Sequence, residues 1–336
     1  MNEFELIARY FTASHYGSNV LLGVGDDAAV VDVPNGFNLV TSVDTIVEGV
    51  HFPNNSDAGD IAYRALAVNL SDMAAMGAIP KWFTLSLCIP AANESWIAKF
   101  SKSLQQLAQQ YQVQLIGGDT VKGPLNISIQ MLGIVESNRW LVRSGAKPND
   151  LIVVSGVPGE AAGGLQLLLN PPVAQAATDS VNHTTVRPEL VEGSHSEHLI
   201  KRFLRPTPRI ELGRGLRSHA SAAMDVSDGL LTDLRKLCAA SGCGAQLQLE
   251  QLPVSVALNA LFATERVQQL KLSGGDDYEL LFTIPPQSLS ALEDISAIAR
   301  VPCTVIGNII QGPGVECFRH HQPVVITDTG FDHFSV

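Results

Sequence analysis

The stretch Gly23-Val24-Gly25-Asp26-Asp27-Ala28-Ala29-Val30-Val31-Asp32-Val33 decides between two folds. Its first six residues match GxGxx(G/A), the turn of a dinucleotide-binding βαβ unit, and Asp44 falls about where that unit places a ribose-binding acid. Such a turn must open a helix whose N-terminus receives pyrophosphate. Here Ala28 to Val33 continues apolar and β-branched into Asn35-Gly36, a hairpin signal, and paired aspartates would repel the pyrophosphate. The stretch therefore predicts strands at Asn19 to Val24 and Ala28 to Val33 around a Gly-Asp-Asp turn, then a third from Phe37 to Ser42. That is the β-rich start of an α+β chain.

Helical spacing follows in Asp60 to Met76, through Ile61, Leu66, Leu70 and Met73, with Gly77 and Pro80 as stop signals. A strand from Trp82 to Ile89 leads to a helix from Ser95 to Gln110, whose apolar stripe is Trp96, Phe100, Leu104 and Leu107. Val113 to Ile116 reads as a strand entering a Gly117-Gly118-Asp119 turn, and Asn126 to Val135 as another. The polar connector Arg143 to Asp150 marks a domain boundary, giving an N-terminal domain over 1–142 and a C-terminal domain over 150–336. In the second, a stretch from about 170 to 198 is polar and aperiodic and reads as a long surface insertion. Its histidines, His183, His195 and His198, are too irregularly spaced for a metal site. A helix through Leu216, a strand Ala222 to Val226, a helix opened by Ser227-Asp228, and strands at Ala245 to Leu249, Glu279 to Ile284 and Val301 to Ile309 complete a second α+β unit.

Seven aspartates lie in five short patches at these element ends: Gly25-Asp26-Asp27, Ser42-Val43-Asp44, Ser71-Asp72, Gly117-Gly118-Asp119 and Asp225-Val226-Ser227-Asp228. No patch carries a Lys or Arg placed to neutralise it. Two carboxylates about 4 Å apart repel by roughly 4 kcal/mol at an effective dielectric near 20, so gathering them calls for divalent ions between. Small oxygen donors with hydroxyl neighbours suit Mg²⁺, which binds through a carboxylate or two plus substrate phosphates. Taken singly, each patch also reads as an ordinary solvated turn, and Ser227 or Asp228 as a helix N-cap. No GxxxxGK(S/T), HRD or DFG motif is present, so phosphate must be bound by other means, for which the glycine-flanked turns offer backbone N–H groups.

Composition narrows the class. A net charge of −11 gives no basic stripe for nucleic acid. At 336 residues, 46% hydrophobic and 16% charged, the chain is long enough for two packed domains. Its five cysteines form no CxxC pair, as in reduced cytosolic proteins. The N-terminus has no basic and apolar leader, and no apolar run is long enough to span a bilayer, so a cytoplasmic protein without membrane contact is expected.

The order and wording of the motifs carry more than any one of them. Gly23 to Val30 (GVGDDAAV), Asp44 to Phe52 (DTIVEGVHF), Ala67 to Gly77 (AVNLSDMAAMG), Gly117 to Thr120, Arg143 to Ala146, Arg205 to Arg209 (RPTPR), Asp225 to Leu230 (DVSDGL), Gly274 to Leu281 (GGDDYELL) and Gly330 to Phe334 span nearly the whole chain. In this set the chain resembles the thiamine-monophosphate kinase family, within the superfamily of aminoimidazole ribonucleotide synthetase. The resemblance implies a two-domain α+β fold with an N-terminal sheet domain that forms a barrel in a homodimer, and a C-terminal mixed-sheet α/β sandwich. It implies transfer of the γ-phosphoryl group of ATP onto thiamine monophosphate with several Mg²⁺ ions. By the same resemblance Asp27, Ser42, Asp44, Asp72, Asp119, Asp225 and Asp228 would hold metal, and Gly118, Asp119, Arg143 and Ser227 would meet ATP. His51, Asp276 and Phe331 would meet thiamine monophosphate. Asp276 stands where the family also uses Glu, Phe331 where it often has Trp or Tyr, and the insertion is longer than usual. The alternative is another ATP-using member such as aminoimidazole ribonucleotide synthetase, against which GVHF and the terminal GFDHF speak. A selenophosphate synthetase would carry a reactive Cys near the N-terminus, and the first here is Cys88.

Overall fold

The segment around Gly25 turns back as a hairpin in the computed structural model, which describes residues 3–12, 16–25, 27–170, 188–327 and 330–331. After α1 (Glu3–Tyr10), β1 (Val20–Leu22) pairs antiparallel with β2 (Val30–Val31), and no helix follows the glycines. Asp26 lies outside the described residues. The chain then builds β3 (Phe37–Val47), α2 (Ala58–Ala75), β4 (Ile79–Ile89), α3 (Glu94–Gln110), β5 (Gln114–Lys122) and β6 (Asn126–Glu136). The four strands form one sheet in the order β3-β6-β4-β5, in which only β4 and β5 run parallel.

Two expectations about this half need correction. β3 runs beyond Ser42 to Val47, so Asp44 sits inside a strand, because its whole length pairs with β6 from Phe37 opposite Glu136 to Val47 opposite Asn126. Likewise Gly117, Gly118 and Asp119 are not a turn. They lie in β5, opposite Thr84, Leu85 and Ser86 of β4. Glycine suits this part of β5 because the ladder shifts register beside it and Gly118, at φ +154°, lies so close to Leu85 that a Cβ would strike the Leu85 carbonyl.

α2 is the axis of the molecule. Its Ala-rich sequence has high helical propensity and lets neighbours approach on every side, and fifteen of its eighteen residues are buried. Asp57 caps its start by accepting from Gly59 N at 2.8 Å. Gly77, at φ +64°, ends it in a Schellman turn, with Ala78 N donating to Met73 O at 2.8 Å and Gly77 N to Ala74 O at 3.0 Å.

The second half comprises β7 (Leu151–Ser155), α4 (Glu160–Leu169), α5 (Pro188–Leu204), α6 (Ile210–Leu216), β8 (Ala222–Asp225), α7 (Leu230–Ser241), β9 (Gly244–Gln248), α8 (Val256–Leu261), α9 (Thr264–Ser273), β10 (Leu280–Ile284), α10 (Leu289–Ala299), β11 (Cys303–Ile310), β12 (Gly314–Arg319) and β13 (Gln322–Val324). A mixed seven-stranded sheet runs β13-β12-β9-β11-β7-β10-β8. Its central strands are apolar at consecutive positions because both faces are covered. Val153, Ala223 and Phe282 enter the core shared with α2 and α6, whereas Ile152, Met224 and Leu281 enter a second core against α7. The chain is thus a two-domain α+β protein whose larger core crosses the domain junction. Of the expected insertion, 171–187 and His183 lie outside the described residues, but 188 onward is helix α5, which buries Leu199 and Phe203.

Candidate functional site

Strand alternation puts Ser42, Asp44 and Ile46 on the same face of β3, and the helical repeat puts Asn69 and Asp72 on one side of α2. The two elements meet there. Ser42 Oγ donates to Asp72 Oδ2, and Asp44 N, on the free edge of β3, donates to Asn69 Oδ1 at 3.1 Å. Asn69 is itself held by donating to Ala65 O at 3.0 Å. One residue before Asp72, the buried Ser71 Oγ donates to Asp225 Oδ2 at 2.7 Å, tying the end of β8 to the same helix.

Three carboxylates from three elements are therefore close enough to feel one another. Burial pushes Asp44 up to about 6, with the charge of Asp225 adding to it. Burial and then Asp44 push Asp72 up to about 6, while Ser42 and Arg143 pull it down. Asp225 reaches about 7 through burial and Asp72, against the Ser71 hydrogen bond. Among the described residues no three His, Cys, Asp or Glu side chains are already gathered around a common metal position. The donor set nonetheless suits a hard divalent cation, since it consists of carboxylates steadied by hydroxyls and offers no thiol.

These acids form one end of a cleft of about 990 Å³. Arg143, Ser227 and Asp228 line it nearby, and His51, Asp276 and Phe331 line it too. His51 Nδ1 accepts from Val47 N at 3.1 Å, which leaves Nε2 as the nitrogen that carries the proton of the neutral ring. Phe331 is exposed on one side, and its backbone N donates to Asp228 O at 3.0 Å, which docks the tail on the cleft. The remainder of that terminal motif, from Asp332, lies outside the described residues.

The sequence-derived set does not assemble completely. The row of paired residues that starts at Asp44 passes Ile129 and Leu85 and reaches β5 at Gly118, so Asp119 is one register step away, in the row of Ser86, Ser128 and Thr45. Gly118 and Asp119 are exposed beside a separate hollow of about 40 Å³ near Phe11 and Val24. Asp27 is exposed in the hairpin turn and does not line the cleft. Nor is every acid without a counter-charge. Lys236 Nζ bonds both Asp228 and the buried Asp233, at 2.8 Å from the latter. Neither Ser227 nor Asp228 caps α7. Instead Asp233 Oδ2 accepts from the backbone N of both, at 3.0 Å each, and Gly229 takes the N-cap position.

Several contributors carry no motif that would announce them. Asn69 orients β3, while Gln166 of α4 and Arg266 of α9, joined at 2.8 Å, close the far wall of the cleft. The loop from Gly274 to Glu279 is bound to the 226–227 segment by Asp276 N to Ser227 O at 2.8 Å and Tyr278 N to Val226 O at 2.9 Å. Beneath it, buried Asp277 accepts from Gly159 N and Ala161 N at the start of α4, and burial pushes it up to about 8.

This fold and cleft define a class. Residues 25–135 match the N-terminal domain, and residues 147–320 the C-terminal domain, of the AIR synthase related proteins. The chain is 44% identical over 335 residues to the thiamine-monophosphate kinase of Escherichia coli K12, covering 99% of this chain and 98% of that one. It is 34% identical to that of Bacillus subtilis over the full length of both. The crystal structure of thiamine-monophosphate kinase from Stenotrophomonas maltophilia K279a superposes with a TM-score of 0.81 at 41% identity, covering 91% of this chain and 93% of that one. AaThiL complexed with AMPPCP and TMP superposes at 0.73 and 31% identity, covering 93% and 92%. The chain belongs to the thiamine-monophosphate kinase family.

Proposed function

We propose that this chain transfers the γ-phosphoryl group of ATP onto the phosphate of thiamine monophosphate, giving thiamine diphosphate and ADP. The observation that carries this reading is a single cleft lined both by the acids Asp44, Asp72 and Asp225 and by His51, Asp276 and Phe331. A phosphate oxygen of thiamine monophosphate attacks the γ-phosphorus while the bond to the β–γ bridging oxygen breaks, and the electron pair leaves on ADP. The nucleophile is already an anion, so no general base is required, and catalysis reduces to alignment and charge control.

Asp44, Asp72 and Asp225, with Ser42 and Asp228, would hold Mg²⁺, which supplies neutralisation across two mutually repelling phosphate groups, whereas Asp27 and Asp119, which do not line the cleft of a single chain, would have to be brought to it to join them. Arg143 offers a guanidinium fork to the ATP phosphates and Ser227 a hydroxyl, while Gly118, which does not line the cleft of a single chain, would have to be brought to it to add backbone contacts. Asp276 accepts a hydrogen bond from the thiamine moiety, while Phe331 lies against its flat cationic ring system and His51 contributes the Nε2 proton. The enzyme works as a cytoplasmic homodimer, pairing through the sheet of its N-terminal domain, 1–142, in a barrel. The exposed Leu39 (47%) and Val43 (62%) on edge strand β3 support that pairing.

ADP release measured with thiamine monophosphate against other phosphomonoesters tests the reading. Release specific to thiamine monophosphate and dependent on Mg²⁺ is expected. Equal rates with unrelated phosphates, or none with thiamine monophosphate, would refute it.

A further inference from the structure

Arg64 is the largest charged side chain in the core, with only 1% of its surface exposed, in the middle of the Ala-rich helix α2. Burying a guanidinium is expensive unless every donor is matched, and an apolar residue of similar volume usually serves stability as well or better. Its Nε has no hydrogen-bond partner among the described residues. Packing alone therefore does not account for Arg64, and the contacts it makes point elsewhere. Nη2 pairs with Asp276 Oδ1 in the cleft wall, and Nη1 donates to Phe203 O at 2.5 Å. The guanidinium carbon lies 4.3 Å from the centre of the Phe203 ring and 5.6 Å from that of Tyr278. Two neighbouring rings and a fork fixed at two acceptors leave the group little freedom.

Asp276 needs such a hold. It sits at φ +70°, in the left-handed region, on a loop that is tied to Ser227 through its backbone N. Arg64 is the sole cation in ion-pair contact with it among the described residues. Tyr278 Oη also reaches Oδ1, at 3.4 Å, so Oδ2 is the oxygen that remains for a ligand. The same helix carries Asp72 eight residues on, about 12 Å along the axis. α2 therefore sets the spacing between the acid cluster and the Asp276 carboxylate.

We propose that Arg64, which does not reach the cleft itself, is a positioning residue that fixes the Asp276 carboxylate for the thiamine end of the substrate. This rests on the reading of the cleft as a thiamine monophosphate site. The test uses steady-state kinetics and melting curves of the full chain, starting with the wild type, whose failure to release ADP with thiamine monophosphate would refute that reading and not this one. Arg64→Lys keeps the charge and loses the fork. It should raise KM for thiamine monophosphate about tenfold and leave KM for ATP within about twofold, the split expected when one substrate's contact is lost. Asp276→Asn should do the same, and the double variant should be no worse than either alone, because the two act as one unit. Phe203→Leu, which loosens the guanidinium from behind without touching the cleft, should raise KM for thiamine monophosphate about two- to fivefold, again with ATP unaffected. A lowered melting temperature with both KM values unchanged, an equal rise in both, or additive effects in the double variant would overturn the assignment. Should Arg64→Lys not fold, Phe203→Leu decides alone, and an unchanged KM there overturns it.

Discussion

Neutralising one member of the Asp44, Asp72 and Asp225 group removes a charge the folded state has to accommodate and, in the proposed reaction, a charge that must face Mg²⁺ and phosphate. The two effects have opposite signs and are measured separately. Asp44→Asn and Asp72→Asn are each expected to lower turnover by about 100-fold or more, the size of effect seen when one preorganised electrostatic group is removed. In metal-free buffer the same variants should melt at the wild-type temperature or above it. Retained turnover, or a large drop in melting temperature, would contradict the role. Asp119→Asn is the useful contrast, since Asp119 is exposed and no stabilisation is expected from its neutralisation. At this scale the acids were legible because carboxylates at element ends demand a counter-charge. Arg64 and Asn69 were not, because a polar residue in a helical pattern reads as its solvated face until a second layer covers it.

Helix α5 combines a polar start with a buried end. Its first turns are polar, so the stretch up to His198 reads as surface insertion, yet Leu199 and Phe203 are fully buried and Arg202 pairs with the buried Glu279 at 2.7 Å. Arg209, of the RPTPR motif, bonds both oxygens of the same carboxylate, through Nε at 2.7 Å and through Nη2. The apolar signal of this helix, Leu199 and Phe203 four apart, falls just past His198, so nothing in 188–198 itself announced the helix. Replacing residues 173–187 by a short Gly-Ser bridge should therefore leave both KM values and the melting temperature close to wild type, since loop closure depends only weakly on length. Extending the deletion through 204 removes Phe203, the backing of Arg64, and should raise KM for thiamine monophosphate and lower the melting temperature together. Kinetics on the two deletions distinguish insertion from wall. The hairpin at Gly25 was legible for the opposite reason, because β-branched residues running into Asn-Gly leave no room for a helix.

For the whole molecule the acid cluster predicts an unusual dependence on pH. Asp44, Asp72 and Asp225 titrate near 6 to 7 when folded against 3.8 for an ordinary aspartate. Between those values the native state binds more protons than the unfolded chain, so stability falls as pH rises from about 4 through about 7. Metal-free protein should thus melt lower at pH 7.5 than at pH 5.5, and Mg²⁺, which binds the ionised form, should restore the difference at the higher pH. A melting temperature that rises over that interval without metal would show that the carboxylates are not held together.

Gly213 of α6 lies so close to Ala74 of α2 that a Cβ there would strike the Ala74 carbonyl, and the core around it draws Leu66 and Met73 from one domain and Leu212 and Leu216 from the other. Two surfaces fitted so closely have to change in step. Hybrids that graft one half of this chain onto the complementary half of a distant relative should fold poorly wherever that pair of helices meets a bulkier residue, even though each half carries its own motifs intact.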